Sequence, residues 1–237
     1  MATESEPVAL RRGKSALRRA YNRLLRPHLP YKIGVFNGVP ARRVRLLDRT
    51  DEFPEYEAAL VDAVRTTVEP DDAVVVIGGG YGVSSVIAAR RAGPNGRVFT
   101  YEPTHERFPF IEETAALNRV ADRIDARRAL VGPGVKLDGD GGGADRVDPA
   151  ALPDCDVLEL DCEGAEADVL RGLSIRPRAI IVETHGCFGT PSDETRNVLD
   201  SLGYDVVDER PDEPDRDIHV LVARRRNDRG LRSLLGR

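Results

Sequence analysis

The stretch from residue 72 to residue 104 constrains the fold of this chain more than any other. It begins with a run of apolar, β-branched residues, 72–77, that is typical of a buried strand. A glycine-rich turn, Gly78-Gly79-Gly80-Tyr81-Gly82, follows directly and leads into residues 83–91, which have a helical pattern with a basic last turn. A second strand, residues 97–102, ends in Glu102. Strand, glycine turn, helix and strand in this order open a parallel α/β nucleotide-binding unit.

The glycine spacing separates the possible nucleotide ligands. A dinucleotide fingerprint needs a third glycine five residues after the first, and Val83 occupies that place when the count starts at Gly78. A Walker loop needs a lysine, and none is nearby. The G-x-G-x-G spacing with a later acid resembles the S-adenosylmethionine (SAM) site of Rossmann-like methyltransferases. Glu102 could accept hydrogen bonds from both ribose hydroxyls. A glycine-rich turn without any ligand is the alternative.

The distribution of charge divides the chain into three parts. Residues 1–50 carry a net charge of +9 and residues 224–237 carry +5, whereas residues 51–223 carry −19. We therefore predict a basic N-terminal helix and β-hairpin extension (1–50), a catalytic-size acidic domain (51–223) and a basic C-terminal tail (224–237). A chain of 237 residues is long enough for one such α/β domain with a sizeable core.

Composition also bears on the compartment. We find no apolar run of 18 residues and no apolar core of a secretory signal near the N-terminus, and we expect a cytoplasmic protein. Cys155, Cys162 and Cys187 lack the C-x-x-C spacing of a metal or redox site. They are predicted to fill small spaces in the core.

Residues 8–26 have the pattern of a basic amphipathic helix. One interpretation is docking to an anionic surface, lipid or nucleic acid, which would allow peripheral membrane contact; no specific nucleic-acid partner is predicted. The favoured interpretation is that its apolar stripe packs on the acidic domain.

Strands and helices alternate through the rest of the chain. This pattern predicts a Rossmann-like, doubly wound, mostly parallel seven-stranded sheet with helices on both faces and an antiparallel last strand. A hairpin with an Asn37-Gly38 turn precedes it, and Pro40 either places the returning strand at an edge or delays its start. The predicted strands cover 72–77, 97–102, 124–131, 156–161, 178–183, 204–208 and 218–223, and the predicted helices cover 55–68, 83–91, 106–118, 165–173 and 192–202.

The carboxyl ends of parallel strands form one rim, where ligands bind in open α/β sheets. Asp161 ends the fourth strand of the core, and Glu183 and His185 end the fifth. Glu163 and Glu166 have an ordinary explanation, because acids are favoured at a helix N-terminus. We therefore expect several acids and a histidine to meet the glycine turn on this rim.

Several segments resemble FkbM-type SAM-dependent methyltransferases. Residues 158–166, with Asp161-Cys162-Glu163-Gly164-Ala165-Glu166, are similar to that family's D-x-E-G-x-E block, and residues 169–172 continue it. Tyr101-Glu102-Pro103 is similar to its F-E-P motif, and residues 182–185 resemble its V-E-x-H motif. The resemblance implies O-methylation of a hydroxyl on a sugar, glycolipid or related small-molecule acceptor. It implies cofactor contacts from Gly78, Gly79, Gly80, Tyr81, Gly82, Glu102, Pro103 and Asp161. Two positions depart from the family: Val76 replaces an aspartate, and Glu159 replaces a lysine.

Methyl transfer to a hydroxyl requires removal of its proton, and three residues are catalytic candidates. His185 is the first candidate base because its ordinary pKa is near neutrality; Asp161 is the second, and Glu183 is adjacent. Alternatively, Asp161, Glu163, Glu183 and His185 include ligands for Mg²⁺ or Mn²⁺.

Two other functions stay open. One is a non-catalytic Rossmann-like binding module with basic ends that bind an anionic surface, which Val76 favours. The other is a nicotinamide-dependent oxidoreductase, which Val83 disfavours.

Overall fold

The computed structural model describes residues 18–132 and 142–226. Seven strands form the main sheet: β4 (Ala73–Ile77), β5 (Arg97–Tyr101), β6 (Ile124–Arg127), β9 (Val157–Leu160), β10 (Ala179–His185), β11 (Tyr204–Glu213) and β12 (Ile218–Arg225). Their spatial order is β11-β12-β10-β9-β4-β5-β6. The five strands β10, β9, β4, β5 and β6 are parallel to one another. Strand β12 runs antiparallel to both of its neighbours, β10 and β11. This confirms the predicted sheet with its antiparallel last strand.

Helices cover both faces of the main sheet because alternate strand residues point to opposite sides. Val74 and Val76 belong to one core, which includes residues of α1 (Ala58–Thr67), α2 (Val83–Ala92) and α3 (Phe108–Leu117). Val75 and Ile77 belong to a second core with α4 (Glu166–Gly172) and α5 (Ser192–Ser201). Both faces of the central strands are therefore buried, as their continuous apolar runs predict.

A small N-terminal sheet packs against the first core. Its strands are β1 (Tyr31–Phe36), β2 (Val39–Arg45) and β3 (Glu52–Phe53), in the order β2-β1-β3. Phe36 pairs with Val39, so Asn37-Gly38 forms a two-residue hairpin loop in which both residues have positive φ. Pro40 lies on the edge strand β2, as predicted. Arg65 of α1 donates a 2.9 Å hydrogen bond to Asn37 Oδ1, which ties the hairpin to the main domain.

The predicted strand at 124–131 is wrong as a single element. β6 ends at Arg127, and the chain continues as β7 (Ala129–Val131), which leaves the main sheet and pairs in parallel with β8 (Asp145–Val147). Ala129 and Val131 are buried in the second core, so the strand turns aside to follow that core. The glycine- and aspartate-rich residues 132–143, whose composition is typical of a loop, lie mostly outside the described residues.

The N-terminal segment does not have the expected packing where it is described. Residues 18–20 are helical, Tyr21–Leu25 form a wider π-helical turn and Arg26–His28 a tighter 3₁₀ turn. Leu24 is 70% exposed and Leu25 is 50% exposed, so packing of the apolar stripe on the domain is wrong for these two residues. Residues 8–17 of the predicted helix lie outside the described part.

Two further expectations from composition can be compared with the structure. Cys155 and Cys162 are half-buried, but Cys187 is exposed and does not fill the core. Within the described ranges, we find no helix that is both long enough and apolar enough to cross a membrane.

Candidate active site

The glycine turn lies in close contact with two neighbouring strands. The N–H groups of Gly78 and Gly79 donate to the Tyr101 carbonyl at 2.9 and 3.1 Å, which fixes the turn to the end of β5. Gly78 has φ +91°, and a Cβ there would overlap the backbone carbonyl oxygen of Asp161 after β9. Only glycine fits this close approach. The turn therefore joins β4 to both of its neighbours at the carboxyl ends.

Glu102 holds the turn from the tip of β5. Its side chain is buried, and its Oε2 accepts a 2.9 Å hydrogen bond from the Gly80 N–H. Its Oε1 accepts hydrogen bonds from the N–H of Thr104 at 2.8 Å and from the Thr104 hydroxyl at 2.6 Å. A carboxylate offers about four acceptor positions, two on each oxygen. The protein therefore fills both positions on Oε1 and leaves room on Oε2 for one donor from a ligand.

A cavity of about 490 Å³ opens beside Glu102 at the carboxyl ends of the strands. It lies where the strand order reverses between β4 and β9, the usual ligand position in open α/β sheets. Its size is in the range of small-molecule sites. Of the predicted cofactor residues, those that line it are Gly78, Gly80, Tyr81, Glu102, Pro103 and Asp161.

Gly79 and Gly82 do not line this cavity. A Cβ on Gly79 would overlap Cγ2 of Thr100 in β5 and would meet Cδ1 of Ile111 at 2.8 Å, and one on Gly82 would meet the Ile111 Cα at 3.1 Å. Gly79 therefore lets the turn pack closely on β5 and α3, and Gly82 lets it pack on α3.

Asp161, Glu183 and His185 meet at the other wall of the cavity, and we call them the carboxylate–imidazole triad. One side-chain oxygen or nitrogen from each residue lies within 4.8 Å of the other two. His185 Nε2 is 3.5 Å from Asp161 Oδ1 and 3.5 Å from Glu183 Oε2. The structure thus brings together the three residues predicted as catalytic.

Glu166 lies behind this wall, where it supports His185, and sequence reasoning missed it. Its side chain is fully buried in the first turn of α4, and its Oε1 is 2.7 Å from His185 Nδ1. The same oxygen accepts hydrogen bonds from the N–H groups of Cys162 (3.3 Å) and Gly164 (3.0 Å). A buried carboxylate beside Nδ1 favours the proton on Nδ1. This leaves the Nε2 lone pair of His185 facing Asp161 and Glu183. The only signal in the sequence was the second glutamate of the D-x-E-G-x-E block.

Burial and like charges shift the titration of the triad. Burial, followed by the charge of Glu183, raises the pKa of Asp161 well above its ordinary value. Burial, followed by the charge of Glu57, raises the pKa of Glu183 to about 8. Burial alone would lower the pKa of His185, but the hydrogen bond to Glu166 and the charge of Asp161 raise it overall. The two carboxyl groups therefore resist carrying two negative charges at neutral pH.

Glu163 does not join the triad. Its Oε1 is 3.2 Å from Arg107 Nη1, and this ion pair holds it elsewhere on the cavity wall. Among the predicted metal ligands, it is the one that the structure separates from the others.

The two departures from the FkbM pattern are neighbours in the sheet. Val76 and Glu159 are directly paired across β4 and β9. Both are buried, and neither lines the cavity. Neither carboxylate oxygen of Glu159 makes a hydrogen bond of ordinary geometry among the described residues, although the Ser84 hydroxyl lies close enough to oppose part of the rise in its pKa. Burial raises the pKa of Glu159 to about 8, so this carboxyl group is protonated at neutral pH.

Comparisons with known proteins give a fold and no family. No protein-family model matches the chain, and no curated protein matches its sequence.

Among solved structures, a provisionally assigned transferase from Pyrococcus horikoshii is similar, with a TM-score of 0.58 and 18% identity over 91% of this chain and 84% of that chain. TYW2 from P. horikoshii, in complex with MeSAdo, has a TM-score of 0.54 and 19% identity over 82% of this chain and 71% of that one. A protein from Streptococcus pneumoniae, provisionally assigned as a tRNA (m1A22) methyltransferase, has a TM-score of 0.50 and 14% identity over 70% of this chain and 68% of that one. At these identities the likeness establishes a Rossmann-like α/β fold shared with proteins of this kind.

Proposed function

We propose that this protein is a SAM-dependent methyltransferase. The observation that carries the proposal is the Glu102 carboxylate, which is bonded to the Gly80 N–H and still has one acceptor position toward a cavity at the strand-order reversal. A glycine turn and an acid joined in this way form the nucleoside-binding pattern expected from the sequence. The shared fold with methyltransferases supports the proposal.

The residues present fit this cofactor. Backbone of the glycine turn, Glu102 and Pro103 would hold the nucleoside part, and Asp161 faces the same space. SAM, when bound, supplies a methyl group already activated by a positive sulfonium. Six acids and two arginines line the cavity, so the wall stays net negative even when Asp161 and Glu183 share a proton, and it favours a cationic ligand. The acids are Glu57, Glu102, Asp161, Glu163, Glu183 and Asp212, and the arginines are Arg107 and Arg216.

We further propose that the acceptor is a hydroxyl of a small, neutral, sugar-like molecule. The FkbM resemblance supports a hydroxyl acceptor, and the triad supplies groups that can receive its proton. With Nδ1 bonded to Glu166, the Nε2 lone pair of His185 is the first candidate, with Asp161 beside it. The acid-rich wall opposes the entry of a polyanion such as RNA. Methylation of tRNA is assigned to a structural neighbour. Because this cavity is rich in acids, we do not propose tRNA as the acceptor of this protein.

Calorimetric titration with S-adenosylhomocysteine tests the cofactor. We expect saturable binding by the wild type and at least a 100-fold loss in Glu102→Ala, because the variant removes an acceptor and leaves Gly80 and Thr104 donors unpaired. Glu106→Ala is the matched control. It removes an exposed acid from the segment between β5 and α3, which also carries Glu102, and it does not contact the glycine turn.

Titration with NAD in parallel addresses the alternatives. Binding of NAD in place of S-adenosylhomocysteine would favour an oxidoreductase. Binding of neither ligand would contradict both enzymes and favour the non-catalytic module.

A further inference from the structure

The carboxylate–imidazole triad has the donor set of a divalent cation site. Two carboxylates and one imidazole come from the tips of adjacent strands, β9 and β10. A majority of oxygen ligands suits Mg²⁺ and Mn²⁺. We propose that Asp161, Glu183 and His185 bind one divalent cation of this class. The role we give it, which rests on the proposed methyl transfer, is to hold an oxygen of the acceptor. With the cation bound, His185 Nε2 is a ligand, and the cation replaces the imidazole base described above as the means of activating the hydroxyl.

The distances are close to those of a coordination sphere. Octahedral bonds of about 2.1 Å place neighbouring ligand atoms about 3 Å apart and opposite ones about 4.2 Å apart. In the triad, Nε2 is 3.5 Å from one oxygen of each acid, and the three atoms lie within 4.8 Å of one another. Shifts of about half an ångström in side chains would bring them onto one ion.

The orientation of His185 is an independent sign of a ligand. Histidines that bind metals usually donate their other ring N–H to a carboxylate, which fixes the tautomer and the ring. Glu166 occupies that position, and it is fully buried and 2.7 Å from Nδ1. Nε2 makes no hydrogen bond within the part of the chain that the structure describes, and it faces the two acids.

Glu183 lacks the donors that a buried carboxylate normally has. Its side chain is 8% exposed, and among the described residues no N–H group donates a hydrogen bond to it; its hydrogen-bonding neighbour is the carboxyl group of Asp161. Asp161, beside it, is of the same charge, and the acids Glu57 and Asp212 also line this cavity. Adjacent buried carboxylates are unfavourable unless a proton or a cation lies between them. A divalent ion would neutralise this group and leave coordination positions open toward the cavity.

Titration of the full chain with Mn²⁺ alone, without cofactor or acceptor, tests the site. The electron paramagnetic resonance signal of free Mn²⁺ reports how much is bound. We expect one Mn²⁺ per chain, displaced by excess Mg²⁺. Glu183→Gln and Asp161→Asn should weaken binding at least 100-fold, since each removes a charged ligand. Glu166→Gln should weaken it about 10- to 100-fold, because it loosens the ring but leaves all three ligands.

Glu163→Gln is the matched control, as it changes an acid of the same cavity that pairs with Arg107. It should bind Mn²⁺ like the wild type. Amide replacements keep the side-chain shape, and circular dichroism with thermal unfolding checks that each variant is folded. Absence of stoichiometric Mn²⁺ binding by the wild type would overturn the inference. So would wild-type affinity in a folded Glu183→Gln variant, or an equal loss in Glu163→Gln.

S-adenosylhomocysteine titrated into the same preparation with EDTA separates this inference from the proposed function. Binding of S-adenosylhomocysteine with no binding of Mn²⁺ would contradict the metal site and leave the proposed methyltransferase function standing. Binding of Mn²⁺ without S-adenosylhomocysteine would support the metal site and contradict the methyltransferase.

Discussion

Glu102 and Glu159 are two buried glutamates of the main sheet in opposite electrostatic situations. Glu102, at the tip of β5, is 2% exposed and receives three hydrogen bonds. Glu159, inside β9, is 1% exposed, and among the described residues it has the Ser84 hydroxyl nearby but no hydrogen bond of ordinary geometry. The same side chain thus has three of its about four acceptor positions filled by protein donors in one place and no well-formed hydrogen bond in the other.

The difference follows from position along the strand. Beyond a strand tip, the N–H groups of the following turn are free to point at a carboxylate, as those of Gly80 and Thr104 do. Inside β9, the backbone is paired with Val76 on one side and Ile181 on the other, so its N–H groups are used by the sheet. A mid-strand acid is therefore best neutralised by a proton, whereas the turn beyond β5 supplies donors that satisfy the Glu102 carboxylate.

Gly78→Ala should give the largest effect on this arrangement. The new Cβ would overlap the Asp161 carbonyl and would sit at φ +91°, so the turn that supplies donors to Glu102 must move. We expect a loss of about 4 kcal/mol in the free energy of unfolding, measured with urea.

Gly203→Ala is the control for that loss. It also has positive φ, but a Cβ there meets nothing within 4 Å. The variant should lose about 1–2 kcal/mol in the free energy of unfolding, which is the effect of the positive φ without a steric overlap. Equal losses in the two variants would show that the contact with Asp161 is unimportant.

Glu159→Gln should stabilise the protein in a pH-dependent way. The folded pKa of about 8 lies above the ordinary value of 4.5, so deprotonation of the unfolded chain between these values disfavours the folded wild type. The variant lacks this penalty. Its advantage should be absent below pH 4.5, grow by about 1.4 kcal/mol per pH unit, reach about 3 kcal/mol at pH 7 and level off above pH 8.

Urea unfolding of both proteins at several pH values between 5 and 8 measures that difference. Parallel stability curves would mean that Glu159 ionises in the folded protein like an exposed acid, and the contrast with Glu102 would fail.

Thr104→Val should have the smallest effect. It removes one of the three donors to Glu102 and keeps the shape of the buried side chain. We expect a loss of about 1 kcal/mol in stability and about fivefold weaker binding of S-adenosylhomocysteine. Thr66→Val, which removes an exposed hydroxyl from α1, should leave both values unchanged. A similar change in the two variants would indicate that Glu102 does not need its full set of donors.

Local patterns were enough to predict most of the fold. The glycine turn, β4, β5 and the helix between them follow from apolar runs and turn residues within about 30 positions. The strand tips that carry Asp161, Glu183 and His185 follow from the same periodicity and from the rule that parallel strands end on one rim.

Contacts between distant residues were not predictable in this way. β8 has one apolar residue among three, and its partner β7 lies across more than ten residues, so neither pattern nor turn chemistry indicates the pair. The bond between Glu166 and His185 joins a helix to a strand 19 positions away. In the sequence, the favourable charge at a helix N-terminus was enough to explain Glu166. Only the packing of α4 brings it next to His185.

The direction of β12 has a practical consequence for handling the protein. Its first residue, Ile218, pairs with His185 at the cavity, and Arg224 pairs with Ala179 at the far edge of the sheet. Seven residue pairs connect the two strands, and the six steps between the first and the last pair, at about 3.3 Å each, carry the chain roughly 20 Å away from the cavity. A surface-immobilisation handle joined after this strand would therefore present the cavity to flowing solution, which suits kinetic measurements of cofactor and acceptor binding.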